Sequence, residues 1–354
     1  MAIRYAACMA YASTATPAEL GAALRASQRA LLLSHAKPDG DAIGSLLAVR
    51  ECLVGRGAQA EIVLMGPIEP SLLEIGSELV ARGAAPDGRL RRLEQDGLPP
   101  SEPDLVVVVD TGSWAQVEPM APWLKARSAI IVGIDHHAGG SEDLAGRRHV
   151  DVGCASTTQA LVPVLEVAGA SLSPVLATAL YMGLATDTGW FRFPSADSAV
   201  FALGARLLAA GAERDWLYAL LEQNARPPRL ALLARALASL ELHRGGAASI
   251  MTLSREDFAE TKAGPEDAGG FVNEAMALRT VRLSILLTQV EAGVTRASFR
   301  SKPRLPGEPP EALVDVNRLA AQFGGGGHVH AAGARLKADL AEAKARVAAA
   351  IATP

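Results

Sequence analysis

The sequence has few cysteines and no long apolar run. Its three cysteines, Cys8, Cys52 and Cys154, are odd in number and widely spaced, so they indicate neither a disulfide framework nor a cysteine-based zinc site. A reducing cytoplasm fits this cysteine usage best. No stretch approaches the roughly 20 apolar residues that a membrane-spanning helix requires. We therefore expect a cytoplasmic protein without a membrane segment.

The sequence also lacks an excess of basic residues. Its formal net charge of −4 argues against the capture of long duplex nucleic acid, which normally needs a basic surface. A short phosphorylated ligand remains compatible with this charge, because a bound divalent cation supplies positive charge locally.

The chain is long enough for two domains. Its 354 residues exceed the size at which one hydrophobic core keeps growing. Residues 1–215 alternate strand-like runs with helical patterns, which predicts an α/β fold with a doubly wound parallel sheet and helices on both faces. Residues 216–240 are predicted to form a helical linker, and residues 241–354 a smaller C-terminal mixed-sheet α/β domain.

The individual elements follow from the apolar patterns. Strands are predicted at 31–33, 60–65, 105–109, 129–134, 248–253, 283–290 and 294–300, the last two as a hairpin. Helices are predicted at 45–55, 157–168, 173–184, 197–211, 213–223, 230–240, 313–322 and 340–351. A further helix is expected to begin at Thr16-Pro17, with Pro at its first position.

Acidic residues and histidines are concentrated at four places that follow apolar runs. The clusters are His35-Ala-Lys-Pro-Asp39-Gly-Asp41, Asp110, Asp135-His136-His137, and Asp187 in Ala185-Thr-Asp-Thr-Gly-Trp-Phe191. Ligands of open α/β sheets bind beyond the carboxyl ends of the strands, so we expect these side chains to meet in one crevice. Each cluster alone also fits a helix N-cap or a turn, as Pro38-Asp39-Gly40 shows.

The clusters offer carboxylate oxygens and imidazole nitrogens without thiolates. Such ligands suit Mn²⁺, Fe²⁺ or Mg²⁺ better than a structural zinc ion. The candidate ligands outnumber those that one metal ion binds, unless several of them contact the ion only through other groups. Two ions that share a bridging carboxylate would account for the number of ligands. In phosphoryl hydrolases, metal pairs of this kind activate water for attack on phosphorus.

In this order the motifs resemble the DHH phosphoesterase superfamily with its DHH-associated C-terminal domain. The resemblance covers almost the whole chain and includes the late Gly-Gly-Gly-Gly-His at 324–328. Segments 186–193, 298–301, 314–317 and 324–333 are similar to one branch of that superfamily. The branch contains bacterial oligoribonucleases (nanoRNases) that also act as phosphatases on pAp (3′-phosphoadenosine 5′-phosphate).

The resemblance implies a ligand set for two divalent ions, most often Mn²⁺, with Mg²⁺, Fe²⁺ and Co²⁺ as alternatives. One ion would be held by His35 and Asp39, the other by Asp41, His136 and Asp187, and Asp110 would bridge them. His137 would face the scissile phosphate as a catalytic residue. Asp135 would orient a histidine beside the metals, or would alternatively be a structural carboxylate.

The resemblance also implies a substrate-binding surface in the second domain. Arg300 and Ser301 would grip a phosphate or a terminal nucleotide there, although a lone Arg at a strand end is usually a solvated charge. The loop of Gly324, Gly325, Gly326, Gly327 and His328 would bring backbone N–H groups and an imidazole to a phosphate. A flexible turn is the alternative. We expect His330 to be a packing or loop residue.

These features predict an enzyme that hydrolyses short RNA (nanoRNA) to mononucleotides and removes the 3′-phosphate of pAp. If the first domain cuts while the second grips the ligand, only a short strand fits, so long duplexes are excluded. The expected partner is short RNA or a phosphorylated nucleotide, with no membrane. The sequence leaves a homodimer open.

Two departures and four alternatives accompany this prediction. Ala138-Gly139-Gly140 stands where related chains usually place an Asn, and segment 273–282 matches only loosely. The sequence barely distinguishes the predicted enzyme from a phosphodiesterase for linear dinucleotides such as pApA, which would act in cyclic-di-AMP turnover. A DHH pyrophosphatase would lack the Gly-rich loop, and a recombination-type exonuclease would need a further domain. A non-catalytic nucleotide-binding regulator would not need paired metals.

Overall fold

The structure, a computed structural model, describes residues 11–85, 88–305, 307–327 and 329–352. Cys8 and His328 lie outside the described residues. The chain forms two compact units that divide between Asn224 and Ala225, inside the segment 216–240 that was predicted to be a linker.

The first unit is built on a parallel sheet of six strands in the order β3-β2-β1-β4-β5-β6. The strands are β1 (Arg29–Leu33), β2 (Gln59–Leu64), β3 (Leu90–Arg92), β4 (Leu105–Val109), β5 (Ile131–Asp135) and β6 (Arg147–Val150). The order in which strands are added to the sheet reverses between the neighbouring strands β1 and β4. Strands β2 and β3 lie on one side of this pair, and β5 and β6 lie on the other. A crevice is expected at this point in such sheets, beyond the carboxyl ends of the strands.

The central strands are apolar throughout because both faces of the sheet are covered. Leu32 and Val107 belong to the core on one face, whereas Leu33 and Val108 belong to the core on the other. The edge strands β3 and β6 are rich in arginine and only partly buried. They were not predicted from the sequence because an edge strand does not need an apolar run.

Nine α-helices of the described residues surround this sheet. They are α1 (Pro17–Ala26), α2 (Gly40–Val54), α3 (Pro70–Arg82), α4 (Leu93–Asp96), α5 (Ala121–Lys125), α6 (Thr157–Ala168), α7 (Pro174–Asp187), α8 (Ser198–Ala209) and α9 (Arg214–Glu222). The predicted start of α1 is confirmed, since Thr16 caps the helix, Pro17 is its first residue, and Glu19 completes a capping box with Thr16. Helix α3 was missed.

Two helix boundaries differ from the prediction and change the setting of acidic residues. Helix α2 begins at Gly40 rather than at residue 45, because Asp39 caps it by accepting from the N–H groups of Asp41 and Ala42 at 3.1 Å. Asp41 is therefore in the first turn of a helix. Helix α7 continues past residue 184 to Asp187, so Asp187 ends a helix and does not follow a strand.

The second unit contains a mixed six-stranded sheet in the order β11-β12-β10-β9-β8-β7. Its strands are β7 (Glu241–His243), β8 (Ala248–Leu253), β9 (Leu283–Glu291), β10 (Val294–Ser301), β11 (Gly326–Gly327) and β12 (Ala331–Leu336). Only the pair β8–β9 is parallel among them. Its helices are α10 (Pro227–Ala238), α11 (Arg255–Thr261), α12 (Val316–Ala321) and α13 (Leu340–Ala352).

The predicted hairpin of the second unit is confirmed, because β9 and β10 pair antiparallel around the turn at 292–293. The predicted helix 313–322 is shorter and forms only α12, since Asp315 caps it by accepting from the N–H groups of Asn317 and Arg318. None of the helices in the described part of the chain is long and apolar enough to cross a membrane.

Candidate metal centre and active site

Strand ends and helix ends bring the acidic and histidine clusters together in the first unit. His35 follows β1, Asp110 follows β4, and Asp135 ends β5 with His136 and His137 directly after it. These three strands are adjacent in the sheet. Helices α2 and α7, which pack against each other, add Asp39 and Asp41 at the start of one and Asp187 at the end of the other.

The side chains form groups of three whose ligand atoms lie within 4.8 Å of one another. The first group is His35, Asp39 and Asp110, and the second is Asp41, His136 and Asp187. Every residue predicted to hold a metal is in one of these two groups. A third, overlapping group contains Asp110, His136 and His137.

Asp110 belongs to the first group and also lies close to the second, with a different oxygen near a histidine of each group. Its Oδ2 is 3.5 Å from His35 Nε2, and its Oδ1 is 3.8 Å from His136 Nε2. Asp110 is 3% exposed and has a backbone φ of 60°, a left-handed conformation that few residues other than Gly adopt. In this conformation the Asp110 carboxylate, at the end of β4, lies close to both histidines.

The second group is organised by the first turn of α6. Asp41 Oδ2 accepts from the Thr157 N–H at 2.6 Å, and Oδ1 accepts from the Thr158 N–H at 3.0 Å. The Thr157 hydroxyl donates to Asp110 Oδ1 at 2.8 Å. Sequence reasoning placed a helix start at Thr157 but assigned it no role in the site, because only the tertiary fold brings it to Asp41, 116 residues away.

Negative charge is crowded at this centre. Burial, followed by the charge of the nearby Asp187 carboxylate, raises the pKa of Asp41 to about 7. Burial, then the charges of Asp41 and Asp39, hold the pKa of Asp110 well above its usual range. Two divalent cations would neutralise these carboxylates. The oxygen and nitrogen donors without thiolate suit ions such as Mn²⁺ or Mg²⁺, so the residues present fit the expected cofactor.

The two histidines of the Asp-His-His motif differ in their surroundings. His136 Nε2 lies 3.2 Å from Asp187 Oδ2. Burial opposes protonation of this ring, but the hydrogen bond and charge of Asp187 raise its pKa to about 9. His137 is 47% exposed, and its Nδ1 lies 2.8 Å from Asp135 Oδ1. That hydrogen bond raises the pKa of His137.

Asp135 is fully buried and accepts hydrogen bonds from the two residues that follow it. Its Oδ1 accepts from the N–H groups of His136 at 2.8 Å and His137 at 3.2 Å, as well as pairing with His137 Nδ1. A carboxylate partner makes Nδ1 the protonated nitrogen and leaves Nε2 as the outward group. The structure thus places Asp135 where it orients His137.

Arg300, Ser301 and glycines 324–327, the described members of the predicted substrate-binding set, lie at one end of the sheet of the second unit. Arg300 and Ser301 end β10, and β12 lies between β10 and the Gly-rich strand β11. The Arg300 guanidinium is partly buried, makes no ion pair among the described residues, and donates to the carbonyl of Phe299 at 3.0 Å. Burial lowers the pKa of Arg300, so an anion beside it would relieve the cost of that burial.

The Gly-rich run is more constrained than the sequence suggested. The N–H groups of Gly324 and Gly325 donate to carbonyls of α12, and the N–H of Gly327 donates to Asn317 Oδ1 at 2.9 Å. A Cβ on Gly325 or Gly327 would clash with a carbonyl oxygen near or on β12. The glycines therefore let two strands approach closely, and the amides of these three are already used within the unit.

Ser301 and His330 contact each other. Ser301 Oγ lies 2.9 Å from His330 Nδ1 and donates to the carbonyl of Val329 at 3.3 Å. Ser301 is 6% exposed. His330 is thus a loop residue that fixes Ser301, consistent with its predicted role.

The chain is similar in sequence to a known protein family. Residues 29–184 match the model described as DHH family, N-terminal domain. The chain is 31% identical over 322 residues to the bifunctional oligoribonuclease and PAP phosphatase NrnA of Thermus thermophilus, covering 89% of this chain and 87% of that protein. It is 26% identical to the probable bifunctional oligoribonuclease and PAP phosphatase NrnA of Streptococcus mutans, covering 88% and 91% of the two chains.

Solved structures agree on the fold. The crystal structure of an exopolyphosphatase-related protein from Bacteroides fragilis superposes with a TM-score of 0.82 at 21% identity, covering 95% of both chains. This similarity extends over both units and shows a shared fold. The family model and the curated relatives show that the chain belongs to the DHH family, with NrnA proteins among its relatives.

Proposed function

We propose that this protein is a metal-dependent phosphoesterase that hydrolyses short RNA oligonucleotides to mononucleotides and removes the 3′-phosphate of pAp. The observation that carries the proposal is the pair of three-residue groups that meet at Asp110. Relatives named for both activities, similar over most of the chain, support this substrate class. One reaction type covers both activities, because each breaks a phosphate ester.

We assign one divalent ion to His35, Asp39 and Asp110, and a second to Asp41, His136 and Asp187, with Asp110 shared. Mn²⁺ is the favoured ion, since its preference covers both carboxylate and imidazole donors. When bound, such a pair polarises the phosphate ester and lowers the pKa of water. The chain's own contribution is to hold the ligands at fixed positions before substrate arrives.

His137 is assigned to the substrate rather than to a metal. Its Nδ1 is occupied by Asp135, and its exposed side leaves Nε2 available to a phosphate oxygen. The raised pKa of His137 favours the protonated ring, which donates a proton or a hydrogen bond from Nε2 as charge develops on the ester. Asp135 keeps the ring oriented and stabilises its positive charge.

The second unit is assigned to substrate recognition. Arg300 offers a guanidinium without an acidic partner among the described residues, and such a group suits a phosphate. Ser301, the glycines 324–327 and His328 complete the proposed surface. Because three of the glycine amides are already bonded, Arg300 carries most of the proposed phosphate contact.

Product analysis with purified protein tests the function. The substrates are an RNA ladder from dinucleotides upward, pAp and pApA, each with Mn²⁺. Turnover concentrated on the shortest RNAs, with phosphate release from pAp, is the expected result. Activity confined to pApA would replace the proposal with a linear-dinucleotide phosphodiesterase. Nucleotide binding without hydrolysis would indicate a regulator, and Asp110→Asn is the control that separates the protein's own activity from a contaminant.

A further inference from the structure

One peptide group, formed by the carbonyl of Cys154 and the N–H of Ala155, makes a hydrogen bond at each end. Its carbonyl oxygen lies 3.3 Å from Nδ1 of His136. Its N–H donates to Gln159 Oε1 at 2.7 Å. The group therefore connects a histidine of the candidate metal centre to the side chain of Gln159, a residue of α6 that belongs to none of the candidate ligand groups.

The carbonyl of Cys154 determines which nitrogen of the His136 ring carries the proton. Nε2 of His136 lies 3.2 Å from Asp187 Oδ2 and 3.8 Å from Asp110 Oδ1, so this nitrogen faces the proposed metal. The other ring nitrogen, Nδ1, faces a backbone carbonyl, which can only accept a hydrogen bond. A proton on Nδ1 satisfies that carbonyl and leaves the lone pair of Nε2 for a metal ion.

A turn between β6 and α6 places Cys154 beside the histidine. The Asp151 N–H donates to the Asp135 carbonyl at 3.0 Å, and the Cys154 N–H donates to the Asp151 carbonyl at 3.1 Å. These bonds hold the peptide group before Cys154. The peptide group after it, which contains the carbonyl that His136 contacts, is held at its N–H by Gln159.

Gln159 does not make the contact expected of its position in the helix. It is the third residue of α6 and follows the cap Ser156, whose hydroxyl accepts from the Gln159 N–H at 3.1 Å. In a capping box, the side chain at this position returns to the N–H of the cap residue itself. Here it accepts from the residue before the cap, Ala155, which is buried. The contact therefore serves the peptide group beside His136 rather than the helix cap.

Holding the N–H of this peptide group fixes the direction of its carbonyl. The described chain contains no cis peptide bond, and a trans peptide unit is planar, so its N–H and C=O cannot turn independently. A hydrogen bond to the N–H also polarises the unit and strengthens the carbonyl as an acceptor. Gln159 thus acts on the His136 ring without contacting it.

We propose that Gln159 is a positioning residue for the metal centre: through the peptide group of residues 154 and 155 it holds His136 in the orientation and tautomer that present Nε2 to a metal ion. The inference rests on the proposed assignment of His136 as a ligand of the second ion. Loss of the Gln159 acceptor should weaken the binding of that ion, because the ring loses its fixed partner at Nδ1.

Gln159→Met is the decisive variant, because methionine has a similar length but offers no strong acceptor to the Ala155 N–H. We expect the affinity for one of two Mn²⁺ ions, measured by isothermal titration, to fall about tenfold, at the lower end of the effects of groups that orient metal ligands. The Mn²⁺ concentration for half-maximal turnover of pAp should rise by the same factor, and saturating Mn²⁺ should restore the wild-type rate. A general loss of folded protein would instead lower the rate at every Mn²⁺ concentration.

Glu19→Met is the matched control for a lost helix-cap acceptor. Glu19 is the third residue of α1, a helix that packs against α6, and its side chain accepts from the Thr16 N–H at 2.8 Å. It belongs to none of the candidate ligand groups. Its replacement should therefore leave the affinity for both Mn²⁺ ions at the wild-type value.

A spectroscopic readout keeps the test independent of turnover. In metal-free and Mg²⁺-loaded protein with ¹⁵N-labelled histidine, the Nδ1–H of His136 should give a slowly exchanging signal, assigned by its loss in His136→Gln. The signal should exchange faster in Gln159→Met and persist in Gln159→Glu, which keeps an acceptor. If wild-type protein hydrolyses nothing, the proposed function fails, yet this signal still tests Gln159.

Three results would overturn the inference. They are wild-type Mn²⁺ affinity in Gln159→Met, an equal loss of affinity in Glu19→Met, and an unchanged His136 signal in Gln159→Met. Should Gln159→Met fold poorly, Gln159→Asn withdraws the acceptor by one methylene group at the same position. A Gln159→Asn protein with wild-type Mn²⁺ affinity and an unchanged His136 signal also contradicts the inference.

Discussion

The hydroxyl of Thr157 donates a 2.8 Å hydrogen bond to Asp110 Oδ1. The same residue donates its backbone N–H to Asp41, so the first turn of α6 holds one carboxylate from each three-residue group. Positive potential at a helix N-terminus favours such anions. The spacing of the two proposed metal sites is therefore set in part by a helix that contributes no ligand.

Thr157→Val should weaken metal binding by Asp110, the proposed bridging carboxylate, without removing a ligand. Valine keeps the shape of threonine but leaves Asp110 Oδ1 without its donor, while the backbone bond to Asp41 is retained. Metal affinity or turnover should fall by about 10- to 100-fold, as for other groups that orient metal ligands. Isothermal titration with Mn²⁺ and steady-state rates on pAp measure the two effects.

The control for that change is Thr178→Val in α7. Thr178 is also buried. Its hydroxyl donates to the Pro174 carbonyl at 2.7 Å and accepts from the Glu213 N–H at 3.1 Å. This variant should lose stability but keep wild-type metal affinity. Equal metal affinity in both variants would mean that Thr157 has only a structural role.

Gly183→Ala should displace Asp41, a member of the second group of candidate ligands, through a steric clash alone. Helices α2 and α7 approach closely here, since a Cβ at Gly183 would lie 2.5 Å from Asp41 Oδ1 and would also clash with Thr158. Overpacking of this kind typically costs about 1–3 kcal/mol. We expect a lower melting temperature and the loss of one of two bound ions, read by mass spectrometry of the metal content.

Gly204→Ala is the matched helix glycine for this experiment. A Cβ there would meet Phe191 at 3.4 Å, an ordinary contact. Alanine has the higher helix propensity, so Gly204→Ala should be at least as stable as wild type and should bind both ions. If Gly183→Ala behaves in the same way, Asp41 does not depend on this close approach.

The sequence could predict those site residues that follow buried strands. Asp110 comes directly after an apolar run, and His35 and His136 come one residue later. The carboxyl ends of adjacent parallel strands meet at one edge. The motif spacing then added Asp39, Asp41 and Asp187, although two of these three proved to lie within helices. Local sequence alone could not separate a helix cap from a ligand, because Asp39 is placed to act as both.

Thr157 and Gly183 could not be predicted, for a physical reason. Each acts through contacts with residues far away in the sequence, and each has an ordinary local explanation, namely a helix start or a small helix residue. The arginine-rich edge strands β3 and β6 were missed for a related reason. Their pairing partners, rather than any apolar run of their own, determine their conformation.

Asp110→Asn should remove both ions and nearly all hydrolysis. Asparagine tolerates the left-handed backbone at this position better than alanine does, so the change tests charge rather than strain. We expect a loss of more than about a thousandfold in kcat/KM, because both metal sites share this carboxylate. Without metal, Asp110→Asn should melt at a higher temperature than wild type, since it removes a buried negative charge.

The opposite stability order is expected with metal present. Bound ions stabilise wild type by mass action, whereas Asp110→Asn should gain little from added Mn²⁺. Thermal melts with and without Mn²⁺ give both comparisons. A variant that retains two ions would show that Asp110 is not the shared ligand.

His137→Gln should separate catalysis from metal binding. Glutamine can still hydrogen-bond but cannot supply a proton, so kcat should fall by about 10²- to 10⁴-fold, the usual contribution of a general acid. Metal content should remain near wild type, because the two assigned groups do not include His137. Loss of an ion in parallel with activity would instead favour the overlapping group in which His137 is a ligand.

Arg300→Ala should impair binding more than chemistry. The guanidinium is partly buried without an acidic partner among the described residues, and the proposed phosphate contact forms in both the ground state and the transition state. A contact of that kind raises KM and leaves kcat nearly unchanged. We expect KM for pAp to rise by roughly tenfold or more, in line with about 1.5–3 kcal/mol for a charged hydrogen bond. Arg300→Lys should recover only part of this loss, because lysine cannot form two parallel hydrogen bonds. An equal fall in kcat at constant KM would place Arg300 in the chemical step instead.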